Sequence, residues 1–234
     1  MNRCKYDIDP VVFKNNIQTK FVLNAIGNNK DVCEFGCSSG MLSQLLKEKG
    51  CAVTGLDIDS LSLTYAKGFQ KETINVNLND IEKWVPLLGV NKYDALLFLH
   101  ILEHLVEPEK VLSKALEFLK QDGIVIIAIP NINNARDRFN IFFGEFNYTE
   151  FGVMDKTHVR FFNFKTINKL IKDNDLIVEE YITPWQVNPV REFVDHIPIL
   201  SRIKRLFPKK PTLLFRKNKN LTDVVMVFKC KKNA

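Results

Sequence analysis

At 234 residues, 46% of them hydrophobic and 26% charged, the chain is long enough to bury one sizeable core and too apolar to stay disordered. Lys and Arg outnumber Asp and Glu by six, but the excess is local: Ser201–Asn220 holds eight cations and no acid, leaving 25 cations against 27 acids elsewhere. One local patch argues against a nucleic-acid-wrapping protein, which needs a broad positive face, and suits a phosphate-bearing partner or an anionic membrane surface.

In chain order, residues 1–27 read as an N-terminal helical segment with no apolar stretch behind its first charges, so no secretory leader is expected. Asp31–Phe35 reads as a strand ending at Gly36, and Met41–Lys49 as a helix with Leu42, Leu45 and Leu46 on one face. Cys51–Leu56 is the next strand, and Ser60 is placed to cap a helix through Phe69. Ile74–Val76 is a weak third strand and Tyr93–Leu99 a strong fourth. Pro108 opens a helix to Leu119 in the favoured first-turn position, and Gly123–Ile129 is a fifth strand, almost wholly apolar. Such runs mark strands buried on both faces, and their alternation with helices predicts an α/β fold: one doubly wound, mostly parallel sheet. The longest apolar runs are strand-sized, far short of the roughly 20 residues of a membrane helix. Asn131–Phe162 shows no period, and about thirty residues of loop inside a compact domain are usually functional. Lys165–Lys172 then reads as a helix, Leu176–Ile182 as a strand, residues 185–220 as a basic, proline-containing insertion and Asp223–Lys229 as a last strand. The expectation is one domain, 1–234, with insertions after the fifth and sixth strands. The five cysteines, Cys4, Cys33, Cys37, Cys51 and Cys230, include no Cys-x-x-Cys pair and suit a reducing cytoplasm.

Ligands of open α/β sheets bind at the carboxyl ends of the strands, where strand order reverses. Three such ends carry suggestive residues. Glu34-Phe-Gly-Cys-Ser-Ser-Gly40 offers a glycine turn before a helix N-terminus, and its leading acid can hold a ligand's ammonium group. Asp57, 17 residues beyond Gly40, can accept both hydroxyls of a ribose. Asn79-Asp80-Ile81 follows the third strand, where a carboxylate can take an adenine amino group. The turn lacks the full G-x-G-x-x-G spacing, which disfavours a nicotinamide cofactor.

These residues carry a resemblance. Val32-Cys-Glu-Phe-Gly-Cys-Ser-Ser-Gly40 resembles motif I of class I S-adenosylmethionine-dependent methyltransferases, Val53-Thr-Gly-Leu-Asp-Ile-Asp-Ser60 their second motif, and Tyr93–Leu105 a segment that in many of them reads FDxVxxxxxLEHL. The resemblance spans about residues 28–183 and the last strand. It implies a Rossmann-like sheet of seven strands, the last antiparallel. It implies S-adenosyl-L-methionine as cofactor, held by Glu34, Gly36, Cys37, Ser38, Gly40, Asp57, Ile58, Asn79, Asp80, Ile81 and His100. Tyr148, Gly152, Asp155, Thr157, His158, Arg160, Phe161 and Phe162 further resemble a bacterial subfamily often associated with surface-polysaccharide genes, which implies a sugar or glycolipid acceptor.

Methyl transfer to a hydroxyl needs the acceptor positioned and its proton accepted. The polar candidates near the expected mouth are His100, Glu103, His104, Asp155 and His158, of which His158, His100 and Asp155 are taken as catalytic. His100-Ile-Leu-Glu-His104 matches a zinc-peptidase pattern that belongs inside a helix, whereas here it closes a buried strand. Some metal-assisted methyltransferases carry E-x-x-E-H at this spot; His100 replaces the first Glu and His158 would complete a set, but no metal is expected. The alternatives are an RNA or protein methyltransferase docking through residues 201–220, and a non-catalytic cofactor-binding module. Ile199, Leu200, Ile203, Leu206 and Phe207 fall at helical spacing among cations, which also allows peripheral contact with a membrane from the cytoplasmic side.

Overall fold

The computed structural model describes residues 4, 8–90, 92–197, 200, 202–212, 215 and 217–233. Helices α1 (Pro10–Asn15) and α2 (Ile17–Ile26) precede an alternation of β1 (Asp31–Phe35), α3 (Met41–Glu48), β2 (Ala52–Asp57), α4 (Ser60–Ala66), β3 (Glu72–Asn75), α5 (Ile81–Leu88), β4 (Tyr93–Leu99), α6 (Pro108–Ala115) and β5 (Leu119–Pro130). Then come α7 (Ala135–Phe142), α8 (Phe164–Asp173), β6 (Leu176–Gln186), α9 (Pro189–Asp195), α10 (Lys219–Thr222) and β7 (Asp223–Lys232). The seven strands form one sheet in the order β3-β2-β1-β4-β5-β7-β6. The first five pair in parallel, and β7 runs antiparallel to both β5 and β6. The expected seven-stranded architecture, with its antiparallel last strand, is the one observed.

Both faces of the sheet are buried, as the continuous apolar strands predict. On one face Phe35, Leu96, Phe98 and Ile127 meet Trp84 of α5 and Leu112 of α6, with Phe35 and Phe98 stacked at 4.6 Å. On the other, Val32, Leu97 and Ile126 meet Val22 and Ile26 of α2 and Leu42 and Leu46 of α3. Strand order reverses between β1 and β4, where Phe35 sits beside Phe98. That reversal opens the crevice holding the site.

Several local expectations give way to packing. The cap of α4 is Asp59, not Ser60: its carboxylate accepts from the Leu61 amide at 3.0 Å, and the helix stops at Ala66 rather than Phe69. Helix α6 ends at Ala115, and Leu116–Phe118 tighten into a 3₁₀ turn so that β5 starts at Leu119, before Gly123. Helix α5 forms despite Pro86, which removes one backbone donor, because Trp84 and Leu88 are fully buried. Helix α7 organises the aperiodic segment after β5, capped by Asn134 onto the Asp137 amide.

The two insertions pack on each other. Phe139 meets Phe193 at 5.4 Å, and Phe143 stacks on His196 at 5.1 Å. Ile199 lies outside the described residues. Beyond it the chain forms a 3₁₀ turn over Lys204–Leu206, with Leu206 74% exposed. At the base of both insertions the buried Asp223 accepts from Gln186 at 2.7 Å, from Thr222 at 2.8 Å and from the Tyr181 hydroxyl. The Asn131 amide donates to the Asp223 carbonyl at 2.6 Å.

Candidate active site

The turn after β1 is built by sterics. Gly36 and Gly40 both have left-handed backbone, φ +79° and +75°. A Cβ on Gly36 would lie 2.8 Å from the Ile101 side chain, and one on Gly40 would lie 2.9 Å from the Ala66 backbone. The chain's own packing therefore requires both glycines at this turn. Ser38 also has positive φ, and its amide donates to Asp57 at 2.8 Å. The second Asp57 oxygen accepts from the Asp59 amide at 2.9 Å, so the half-buried carboxylate ties β2 to the glycine turn and keeps lone pairs for a diol.

A cavity of about 420 Å³ opens at the ends of β1 and β4. Glu34, Gly36, Cys37, Ser38, His100, Asp155 and His158, singled out from the sequence, all line it. Gly40, Asp57, Ile58, Asn79, Asp80 and Ile81 do not; they follow the ends of β1, β2 and β3 along the same sheet edge. Asn79 accepts from the Val106 amide at 2.8 Å, and Asp80 pairs with Lys83 at 2.7 Å at the start of α5.

Glu34 is buried, and burial pushes its carboxyl up to about 8 despite a 2.8 Å hydrogen bond from Ser43. It therefore holds its proton at neutral pH until a cation arrives. Burial likewise raises the Cys37 thiol, which is no nucleophile. His100 ends β4 with φ +56°, a conformation that is strained for a side-chain-bearing residue. Its Nε2 lies 3.1 Å from the Gln18 side-chain oxygen Oε1 and its Nδ1 lies 3.6 Å from Glu103.

Opposite the glycine turn lies the segment after β5. The Val159 and Arg160 amides both donate to the Glu103 carbonyl at 3.0 Å, and the Arg160 guanidinium donates to the Val106 carbonyl. Asp155 is buried and accepts from the Thr157 amide and hydroxyl at 2.9 and 2.7 Å, which braces the turn into His158. His158 has Nδ1 2.9 Å from the Val153 carbonyl, so that nitrogen carries the proton and Nε2 presents its lone pair. Burial lowers its pKa, partly opposed by Glu103. Phe162 anchors the segment in the core, while Phe161 stays 40% exposed.

Glu103 was seen in the sequence but not chosen. It is 1% exposed, its Oε1 lies 4.0 Å from His158 Nε2, and its Oε2 makes no hydrogen bond. Its i,i+3 spacing from His100 was the available signal. Gln18 and Trp185 also line the cavity, and no local motif marks either.

The arrangement provides a buried acid facing a cavity, a half-buried carboxylate at the neighbouring strand end, and an imidazole fixed through Nδ1 on the segment after β5. Comparison with known proteins gives the family. A family model described as a methyltransferase domain matches residues 16–181. A ubiquinone biosynthesis O-methyltransferase of Nitrosospira multiformis is 28% identical over 166 residues, covering 69% of this chain and 68% of that protein. One from Coxiella burnetii is 27% identical over 128 residues, and the chain spans only 54% of its length. Among solved structures, a SAM-dependent methyltransferase from Archaeoglobus fulgidus superposes with a TM-score of 0.65 at 16% identity, covering 96% of this chain and 95% of that one. Magnesium protoporphyrin IX methyltransferase from Synechocystis, with bound SAM, gives 0.52 at 14% identity, covering 92% and 76%. These structural likenesses speak to the fold, but the family match encloses the glycine turn, Asp57, the His100–His104 segment and His158, and on it the chain belongs to the methyltransferase-domain family of class I S-adenosylmethionine-dependent enzymes.

Proposed function

We propose that this enzyme methylates an oxygen of a small, sugar-like acceptor, with His158 as the base. The residues present fit S-adenosyl-L-methionine. Glu34, buried at the cavity wall, would take the ammonium group; Asp57 the ribose hydroxyls; Asn79, Asp80 and Ile81 the adenine. When bound, that cofactor supplies an electrophilic methyl group on a sulfonium. The chain's own task is to orient the acceptor hydroxyl and accept its proton. One observation carries the assignment of His158: its Nδ1–H is fixed on the Val153 carbonyl, which leaves Nε2 as a proton acceptor inside the cavity. The Nitrosospira relative is named an O-methyltransferase, which supports oxygen as the acceptor atom. His158→Ala should cut turnover by about 10²–10⁴-fold, the usual worth of a positioned base, with S-adenosylmethionine affinity unchanged by calorimetry. Parallel loss of both would assign His158 to cofactor binding or to the fold.

A second reading rests on Glu103. Its Oε2 is buried without a partner, and Glu103, His104 and His158 each place a ligand atom within 4.8 Å of the others. His158 also has the backbone-carbonyl partner that orients metal-ligating imidazoles. A divalent cation there would compensate the buried carboxylate and polarise the acceptor oxygen. Titration of the metal-free protein with Co²⁺, read by d–d absorption and repeated on Glu103→Gln, decides this reading.

Peripheral contact with an anionic membrane belongs to the same proposal. Ile203 and Leu206 are 40% and 74% exposed beside the exposed cations Arg202 and Arg205, an apolar and cationic patch of the kind that settles on an anionic lipid surface. Among the described residues, no helix is long and apolar enough to cross a membrane.

A further inference from the structure

A second cleft, of about 300 Å³, lies behind the first. Ligand pockets start at about this size. Almost all its lining comes from the segment after β5, with Trp185 at the end of β6 and Val224 at the start of β7. No residue expected to hold the cofactor reaches it. Phe151–Val153, Trp185 and Val224 line both spaces, so the two clefts share a wall.

The lining of the cleft is mixed: Ile141, Phe151, Val153, Met154, Trp185 and Val224 supply apolar surface. Beside them Arg136, Asp137, Asn140, Glu145, Asn147 and Thr149 present a guanidinium, two carboxyls, two amides and a hydroxyl. Three of them are held from behind. Arg136 pairs with Glu192 at 3.2 Å and lies over the Trp185 ring at 5.5 Å. Asn140 meets His196 at 2.7 Å, and Asp137, 8% exposed, accepts from the Asn134 amide. These groups are fixed before a ligand arrives, so binding costs little side-chain entropy. An apolar ligand would strip water from them and return no hydrogen bonds. A ring bearing several hydroxyls, each both donor and acceptor, matches a mixed set of donors and acceptors. The half-exposed Trp185 indole offers a flat apolar surface to the C–H face of such a ring.

We infer that this cleft is a subsite for a second glycosyl unit of the acceptor, adjoining the unit whose hydroxyl faces His158. The inference rests on the sugar-like acceptor proposed above and extends it: the substrate spans at least two sugar rings, and the segment after β5 selects the outer one.

The test uses the full chain loaded with S-adenosylhomocysteine. Methyl glycosides of common hexoses, deoxyhexoses and hexuronic acids, and their disaccharides, are screened one by one by saturation-transfer NMR and titrated. The best disaccharide should bind at least about tenfold tighter than either of its component monosaccharides. Asn147 is exposed, and among the described residues its side chain takes part in no hydrogen bond, so its variants should fold. Asn147→Ala should weaken disaccharide binding about threefold to tenfold, the worth of one neutral hydrogen bond. Asn147→Phe, which fills the cleft, should abolish the disaccharide's advantage and leave monosaccharide and cofactor affinity unchanged. Equal binding of both lengths, or disaccharide binding indifferent to Asn147→Phe, overturns the subsite and leaves the sugar-like acceptor standing. If no glycoside of either length binds, the sugar-like acceptor falls and the subsite with it.

Discussion

The glycine turn after β1 and the segment after β5 line opposite walls of one cavity, yet they are held by different forces. The turn is fixed by exclusion: two left-handed glycines leave no room for a side chain against Ile101 and Ala66. The opposite wall is fixed by hydrogen bonds, from Val159 and Arg160 to Glu103, from Thr157 to Asp155 and from Arg160 to Val106. A sterically built wall tolerates little substitution and suits an invariant ligand. A wall of separate polar contacts can be altered contact by contact, which suits recognition of an acceptor.

The largest effect should come from breaking the first wall. Gly40→Ala forces left-handed backbone on alanine, worth about 1–3 kcal/mol, and drives its Cβ against Ala66; chemical denaturation should show at least that loss. Glu34→Gln sharpens the comparison through pH. Because the Glu34 carboxyl is raised from 4.5 to about 8, the folded protein keeps a proton there that the unfolded chain releases. That contribution to stability is fully present below about pH 4.5 and declines, by up to roughly 1.4 kcal/mol per pH unit, until about pH 8. The variant should therefore match the parent at pH 5, exceed it at pH 9 in thermal melts, and bind S-adenosylmethionine more weakly at both. Asp57→Ala removes charge-assisted hydrogen bonds worth roughly 1.5–3 kcal/mol, so calorimetry should show about tenfold to hundredfold weaker cofactor binding.

Changes on the far side should spare the cofactor. Reversing Arg202 and Arg205, each worth about 1 kcal/mol near an anionic surface, should reduce sedimentation with phosphatidylserine vesicles at low salt. Unchanged sedimentation, or none by the parent, would remove the membrane from the proposal. Lys204 is a poorer target because Asp195 already pairs with it.

The same contrast explains what the sequence made legible. Strands such as Tyr93–Leu99 are apolar on both faces and announce themselves. Glu34, Gly36 and Asp57 stand at strand ends in a recognisable order, and the structure adds the clashes with Ile101 and Ala66 that hold the glycines in place. Helix α5 was hidden because Pro86 reads as a breaker, while the burial of Trp84 that rescues it is tertiary. Helix α7 was hidden because its partners, Phe193 and His196, come more than fifty residues later. Glu103 shows in the sequence as an acid near two histidines; that one of its oxygens is stranded appears only once Val159 and Arg160 fold over it. Gln18 meets His100 across 82 residues, beyond the reach of any local pattern.

The knot around Asp223 bears on how such an enzyme diversifies. Asn131, where the chain leaves β5, and Thr222, where it returns to β7, are joined through Asp223, with Gln186 at the exit from β6. Both excursions from the sheet are thus tied off at a common base, like two handles riveted to one plate. Lengthening a flexible loop costs only about 0.6 kcal/mol per doubling, so an exposed stretch of either handle can grow without loosening the plate. Insertions at the exposed stretch 145–148, with the Asn131–Asp223 knot and His158 left in place, are therefore a direct way to reshape the acceptor wall without rebuilding the sheet.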